Sequence, residues 1–192
     1  MLDIAKIRAD FPELSIKING KRNTFLDTAA SAQKPKCVIN NMVETLTHKY
    51  ANVHRGSYEL SEQLTYEYEQ ARKQVAKFIN AKSEKEIVFT RNATESINLV
   101  AATYGRSKLK SGDEILISEA EHHANLIPWQ MIAEEKSLKL KVFKINDDGC
   151  FNKEEFLSAL SDKTKLVAVT AMSNVLGTIF PIAEITKSAH QT

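Results

Sequence analysis

An α/β fold, with a mostly parallel sheet and helices on both faces, is what this sequence predicts. Three observations point there. From Glu86 to the last residue, short apolar runs alternate with helical patterns. The distances between runs leave room for helical crossovers, which join parallel strands by right-handed connections. No internal repeat or low-complexity linker breaks the alternation.

Before Glu86 the pattern differs. Residues 3–9 read as a short helix, closed by Phe11-Pro12 because the residue before proline avoids the helical region. Ile16-Lys17-Ile18 and Thr24-Phe25-Leu26 flank Asn19-Gly20, the signature of a hairpin turn. Asp27 to Ala32 is a run of small residues, which either packs tightly or lets a ligand approach the backbone. Pro35 suits the first turn of a helix to about residue 50, and 52–57 reads as a solvated loop. A long helix over 60–80 places Leu60, Leu64, Tyr68, Ala71, Val75, Phe78 and Ile79 on one face, read as core. Two parts follow: an N-terminal segment, 1–85, of helices and a short hairpin packing on the rest, and an α/β portion, 86–192.

Within 86–192, strands are expected over 87–90, 114–118, 140–143 and 166–170. Helices are expected over 94–104, 126–136, 153–160 and 182–189, with a turn at Asp147-Asp148-Gly149. The chain ends at Thr192, where a further buried strand is expected to begin.

Composition excludes several classes. A net charge of +2 from scattered lysines offers no basic stripe for nucleic acid or a membrane surface. The N-terminus has no hydrophobic signal core, and nothing approaches the ~18 consecutive apolar residues of a membrane span. Cys37 and Cys150 lie far apart without metal-type spacing, which points to a reduced, cytoplasmic setting.

Ligands of open α/β sheets sit beyond the carboxyl ends of the strands. Three polar clusters fall at such ends: Arg91 to Thr94, Glu119 to Asn125, and Ala171 to Gly177. In the first, Thr94 stands where an N-cap or first-turn hydroxyl belongs, and the free amides and dipole of a helix start suit a phosphate. Taken alone, that stretch reads as an ordinary capped helix. The adjacent His122 and His123 raise a metal reading, but neighbouring side chains on an extended segment point apart and no HExxH-like spacing exists. No GxSxG elbow surrounds Ser118 or Ser173, which argues against a Ser-His-Asp hydrolase.

Five blocks in register carry a resemblance: Leu26 to Pro35 (LDTAASAQKP), Val53-His54-Arg55-Gly56, Arg91 to Asn98 (RNATESIN), Glu121 to Gln130 (EHHANLIPWQ), and Ser173 to Gly177 (SNVLG). Together they resemble the N-terminal part of the SUF-type cysteine desulfurases, in the class-V aminotransferase branch of fold-type-I pyridoxal-phosphate enzymes. The blocks with His54-Arg55 and with His122 to Gln130 favour the SUF over the ISC type. The resemblance implies an incomplete fold-type-I large domain that binds pyridoxal 5′-phosphate, preceded by a helical and hairpin segment. It also implies conversion of L-cysteine to L-alanine plus enzyme-bound persulfide, a homodimer, and a sulfur-acceptor protein for iron–sulfur cluster assembly. Thr94 and the amides of Ala93 and Thr94 would hold the cofactor phosphate. His122 would stack over the pyridine ring and assist proton transfers, its nitrogens remaining able to exchange protons. Asn174 would hydrogen-bond near the phenolic oxygen or the substrate. Ala29 and Ala30, with His54 and Arg55, would line the substrate entrance near a partner subunit. Asn92-Ala93 stands where such relatives often carry Gly-Thr, which removes one hydroxyl and leaves the amides.

The resemblance also implies what is missing. The Schiff-base lysine, the aspartate at the pyridinium nitrogen and the sulfur-accepting cysteine of the family lie beyond the matched stretch, and neither Cys37 nor Cys150 matches. A chain without them is expected to be inactive by itself: a fragment, a split half or a degenerate gene product. The family's strand order predicts that the 166–170 strand pairs with 114–118, which pairs with 140–143, leaving 87–90 without neighbours. The alternatives are another class-V enzyme, such as a selenocysteine lyase or a kynureninase-like enzyme, or a non-catalytic remnant that binds a partner.

Overall fold

The computed structural model describes residues 2–192, which divide into two compact units, the first ending at Val88 and the second Phe89–Thr192.

The first unit opens with α1 (Ile4–Ala9), capped by Asp3, whose carboxylate accepts from the Lys6 amide at 3.0 Å. A 3-10 turn, Pro12–Ser15, leads to β1 (Lys17–Ile18) and β2 (Lys21–Arg22), which pair antiparallel. Asn19 and Gly20 both have positive φ, 52° and 73°, as a two-residue type I′ hairpin turn requires. So tight a turn sets Ile18 against Lys21, so the second arm is Lys21–Arg22 rather than the expected 24–26.

Helix α2 (Lys36–Glu44) starts at the N-cap Pro35 and continues into a π-helical turn, Thr45–Lys49. Helix α3 (Glu59–Phe78) is the longest. Its expected core stripe is only partly covered. Leu60, Leu64, Tyr68 and Val75 are half-buried, Ala71 is exposed, and Phe78 and Ile79 are 90% and 58% exposed. The fully buried residues of α3 are the small Ser61 and Ala76. Small residues mark where another chain segment approaches closely; at Ser61 that segment is the 52–57 loop.

The second unit holds α4 (Ala93–Val100), a π-helical turn (Ala101–Gly105) and α5 (Arg106–Lys108). It continues through β3 (Glu114–Ser118), α6 (Ile127–Lys136), β4 (Lys139–Phe143), α7 (Lys153–Ala159), β5 (Thr164–Ala168) and α8 (Ile182–Gln191). The three strands run parallel in the order β4-β3-β5, the expected arrangement. Strand β5 starts two residues earlier than expected, and a register shift beside Glu114-Ile115 accommodates it. It also leaves the ladder sooner, because the Thr170 amide donates to the Glu121 carboxylate instead.

Residues 87–90 do not form the expected strand. They lie outside the β4-β3-β5 sheet, as the family's strand order implied. Ile87 is extended, and its carbonyl accepts from the Arg72 guanidinium; Val88 is 66% exposed.

Strand β3 is buried over its whole length, and its alternation divides the core in two. Ile115 and Ile117 face one way, into a cluster with Ala101, Leu109, Trp129, Ile132, Ala133 and Leu138. Leu116 faces the other way, toward Phe143, Phe156, Phe180 and Ile185. The flanking strands obey the same parity: Leu140 and Leu166 stand opposite Ile115, and Val167 opposite Leu116. Burial of each such side chain stabilises the unit by about 1.5–3 kcal/mol.

At the opposite end of β3 from the polar loops, buried Glu114 accepts from the Ser161 hydroxyl at 2.7 Å and from the Lys141 ammonium at 3.3 Å. The Ser161 hydrogen bond, with Lys141 and Lys139 nearby, outweighs burial and holds the carboxyl below its ordinary 4.5. A carboxyl more acidic folded than unfolded adds stability above 4.5, and that contribution is lost as pH falls through the folded value. Thermal melts of the chain and of Glu114→Gln should therefore differ most at neutral pH and converge on acidification below that range. A gap that stays constant with pH would assign Glu114 no such role.

Candidate active site

Helix α4 begins with a variant of the capping box, closed on the residue before the cap. Asn92 is extended, and its side-chain oxygen accepts from the Glu95 amide at 2.9 Å. The Glu95 carboxylate reaches back to the Arg91 amide at 2.6 Å, and the Arg91 guanidinium closes on it at 3.2 Å. The Arg91 amide first, and then its guanidinium, hold the Glu95 carboxyl below the ordinary carboxylate range. The cap is therefore Asn92, not Thr94. The spacing Asn92-x-x-Glu95 carries that signal in the sequence. Thr94 is the second residue of the helix, and the amides of Ala93 and Thr94 have no acceptor among the described residues. Both residues are exposed. Two free amides and a free hydroxyl at a dipole's positive end can take an anion. The negative charge of Glu95, which would oppose one, is paired with Arg91.

His122 follows β3 and caps the 3-10 turn His123–Asn125. Its ring Nδ1 accepts from the Ala124 amide at 3.1 Å, and its carbonyl accepts from the Asn125 amide at 2.8 Å. An acceptor Nδ1 assigns the neutral ring's proton to Nε2, so of the two nitrogens expected to exchange protons only Nε2 faces outward unengaged. The His123 ring stands 6.2 Å away, tilted by 52°. Among the described residues no three His, Cys, Asp or Glu side chains lie close enough to share a metal ion.

The turn is tied down by Glu121, which the sequence does not single out within its cluster. One carboxylate oxygen accepts from the buried Ser118 hydroxyl at 2.5 Å and from the Thr170 amide at 2.8 Å. The other accepts from the Asn125 amide group at 2.8 Å, and Asn125 in turn accepts from the Trp129 indole at 2.9 Å. The four-residue steps 121, 125 and 129 were the available signal.

Asn174 is exposed at the tip of a loop that leaves β5. Buried Ser173 holds that tip: its hydroxyl accepts from the Val175 and Leu176 amides, and a Met172–Ile179 bridge closes the stem. Helix α4 packs on the His123–Asn125 turn, and Thr170 is bonded to Glu121. The helix bearing Ala93 and Thr94, the turn bearing His122 and the approach to Asn174 thus share one end of the second unit. An open depression of about 110 Å³ lies elsewhere, between α4 and α6, lined by Ala101, Arg106, Met131 and Glu135 among others.

Ala29, Ala30, His54 and Arg55 stand in the first unit. The two alanines lie exposed in a turn closed by amide bonds to the Asp27 carbonyl. His54 has φ +72°, a strained conformation for a side chain of its kind. Its amide donates to Thr65 Oγ1 at 2.9 Å, its Nε2 meets Glu69 Oε1 at 2.8 Å, and its ring meets Tyr68 edge-on. The 52–57 segment is therefore a solvated loop, as expected, that is also pinned. A Cβ at Gly56 would meet Ser61, whose hydroxyl donates to the Asn52 carbonyl.

Comparison with known proteins places the chain in a family. The family model for aminotransferase class-V matches residues 24–192. The chain is 50% identical over 187 residues to a cysteine desulfurase of Dickeya dadantii, covering 97% of this chain and 45% of that protein. It is 49% identical to a probable cysteine desulfurase of Synechocystis sp., covering 97% and 44%. Among solved structures, the apo cysteine desulfurase of Thermococcus onnurineus NA1 superposes with a TM-score of 0.88 at 38% identity, covering 100% of this chain and 46% of that one. The S-sulfonic acid form of the Escherichia coli cysteine desulfurase CsdA gives 0.84 at 36%, covering 100% and 47%. The chain thus spans about half the length of the relatives it matches.

Asn92→Ala should cost about 1 kcal/mol of stability, read from denaturant unfolding, because it leaves the Glu95 amide without its cap. Thr94→Val should leave stability within about 0.5 kcal/mol, since its hydroxyl supports nothing internal. The reverse order of effects would return the cap to Thr94.

Proposed function

The chain belongs to the aminotransferase class-V family, and from that premise we propose that it is the N-terminal portion of a pyridoxal-phosphate-dependent cysteine desulfurase of the SUF type. On this reading residues 1–85 are its N-terminal segment and residues 86–192 the first part of its cofactor-binding large domain. The whole protein takes sulfur from L-cysteine, leaving L-alanine, and hands it as a persulfide to an acceptor protein for iron–sulfur cluster assembly; it works as a homodimer.

The observation that carries the reading is the start of α4. Asn92 and Glu95 satisfy the Glu95 and Arg91 amides and leave those of Ala93 and Thr94, with the Thr94 hydroxyl, open at the helix's positive end. That set suits a phosphate monoester, so the residues present fit the cofactor. When bound, pyridoxal 5′-phosphate supplies the electron-withdrawing ring the chemistry needs. The chain's own contributions are binding and orientation. Ala93 and Thr94 hold the phosphate. His122, fixed by the Ala124 amide, presents its flat face and an Nε2 proton. Asn174 offers an amide from a loop stiffened by Ser173. Ala29, Ala30, His54 and Arg55 serve the substrate entrance.

The same reading makes this chain inactive by itself. The covalent lysine, the pyridinium aspartate and the sulfur-accepting cysteine of the family match none of its residues. Cys150 is a poor candidate in chemistry as well. The Asp148 carboxylate beside it pushes its thiol above the ordinary 9.0, where little thiolate exists at neutral pH.

Equilibrium dialysis of the chain against pyridoxal 5′-phosphate and against pyridoxal tests the proposal. Expected are reversible binding of the phosphorylated form only, no dialysis-resistant absorbance band, and about tenfold weaker binding by Thr94→Val. Equal affinity for pyridoxal would remove the phosphate site, and a persistent band would reveal a covalent lysine within these residues.

A further inference from the structure

We propose that Glu121 is a positioning residue for His122, acting as an acceptor-only anchor that a neutral side chain of the same shape cannot replace. Its role in cofactor binding rests on the reading above; the hydrogen-bond polarity behind it does not.

The polarity is set at the far end of the network. The Trp129 indole can only donate, so Asn125 must turn its oxygen toward Trp129 and its amide hydrogens toward Glu121. At the near end, the Thr170 amide is a backbone donor that cannot reverse, and it shares its acceptor oxygen with the Ser118 hydroxyl. Position 121 therefore meets donors at both oxygens. A carboxylate accepts from all of them. A glutamine cannot: its NH2 must face either Thr170 or Asn125, donor against donor. Asn125 can flip to relieve the clash, but the buried Trp129 N–H then loses its acceptor.

The turn of His122 hangs between the two ends of this network. Glu121 precedes His122 directly, and Asn125 closes the turn with its amide on the His122 carbonyl. The Ala124 amide then fixes the ring through Nδ1. A lost bond between positions 121 and 125 frees both ends of the segment that orients the imidazole.

The test uses the full chain with Glu121→Gln, Trp129→Phe and the double variant. Amide exchange at Ala124 and Thr170 and the imidazole nitrogen resonances of His122 are followed by NMR. Glu121→Gln should speed exchange at one or both amides about tenfold or more and shift the His122 signals. In the double variant the indole donor is gone, Asn125 is free to flip, and the Glu121→Gln effect should largely disappear. A Glu121→Gln protein with unchanged His122 signals overturns the proposal. So does a double variant that recovers nothing relative to Glu121→Gln. Should Glu121→Gln fail to fold, the double variant still decides by comparison with Trp129→Phe, which shares its lost core contacts: a double variant as stable as Trp129→Phe supports the anchor, and a less stable one refutes it. Affinity for pyridoxal 5′-phosphate, measured alongside, should fall about tenfold in Glu121→Gln and return in the double variant. Absence of binding by the unaltered chain would strike the cofactor reading while the NMR coupling stood.

Discussion

The Glu121 carboxylate is the constraint on which the functional end of the second unit depends. It gathers the last residue of β3, the chain just past β5 and the turn before α6 onto two oxygen atoms. The partners are a hydroxyl, a backbone amide and a side-chain amide, and each donates to it. Charge-assisted hydrogen bonds of this kind are roughly twice as strong as neutral ones. A neighbouring carboxylate, Glu119, repeats the device on the other side by accepting from the Ile145 amide at 2.6 Å beyond β4. The three strands are thereby stitched together just where their ladder hydrogen bonds run out.

At α4 the economy of hydrogen bonds is reversed. A capping side chain satisfies one of the four free amides of a helix start and leaves the others to water or a ligand. Here the cap takes the third helical residue, and the first two amides stay open beside an unused hydroxyl. The glutamate of the capping box is neutralised by Arg91, so the positive end of the helix keeps its attraction for an anion. The two features are complementary: one site spends every polar group on rigidity, and the other withholds a few for a ligand.

The two units differ in how they hold their shape. The second has a central strand buried on both faces and aromatic packing among Phe143, Phe151, Phe156 and Phe180. Among the described residues, the first has few buried apolar side chains and relies on polar pins. His54 is the clearest case, with a left-handed backbone stabilised by Thr65, Glu69 and Tyr68. Such strain persists only where the surroundings over-determine it.

Helix positions were readable in the residues because periodicity is a local property, whereas the strand order followed from the family resemblance. Periodicity located α3, α6, α7 and α8 within about two residues, and the apolar runs located β3 and β4. The polar clusters that carry Thr94 and His122 were visible too, because they follow expected strands; the roles of the two residues belong to the proposed function. The family's strand order left Ile87-Val88-Phe89-Thr90 without neighbours; what spacing alone could not show is that the run forms no strand, because a strand exists only where a neighbour offers its backbone. The exposure of Phe78 escaped for a similar reason: a stripe shows which face prefers burial but not whether anything covers it. The choice of Asn92 over Thr94 as cap was already written in the Asn92-x-x-Glu95 spacing, whereas the tautomer of His122 and the joining of Glu121 to Thr170, forty-nine residues away, belong to the folded structure alone. Composition and spacing decide which groups can donate and accept; only the folded chain decides which of them meet.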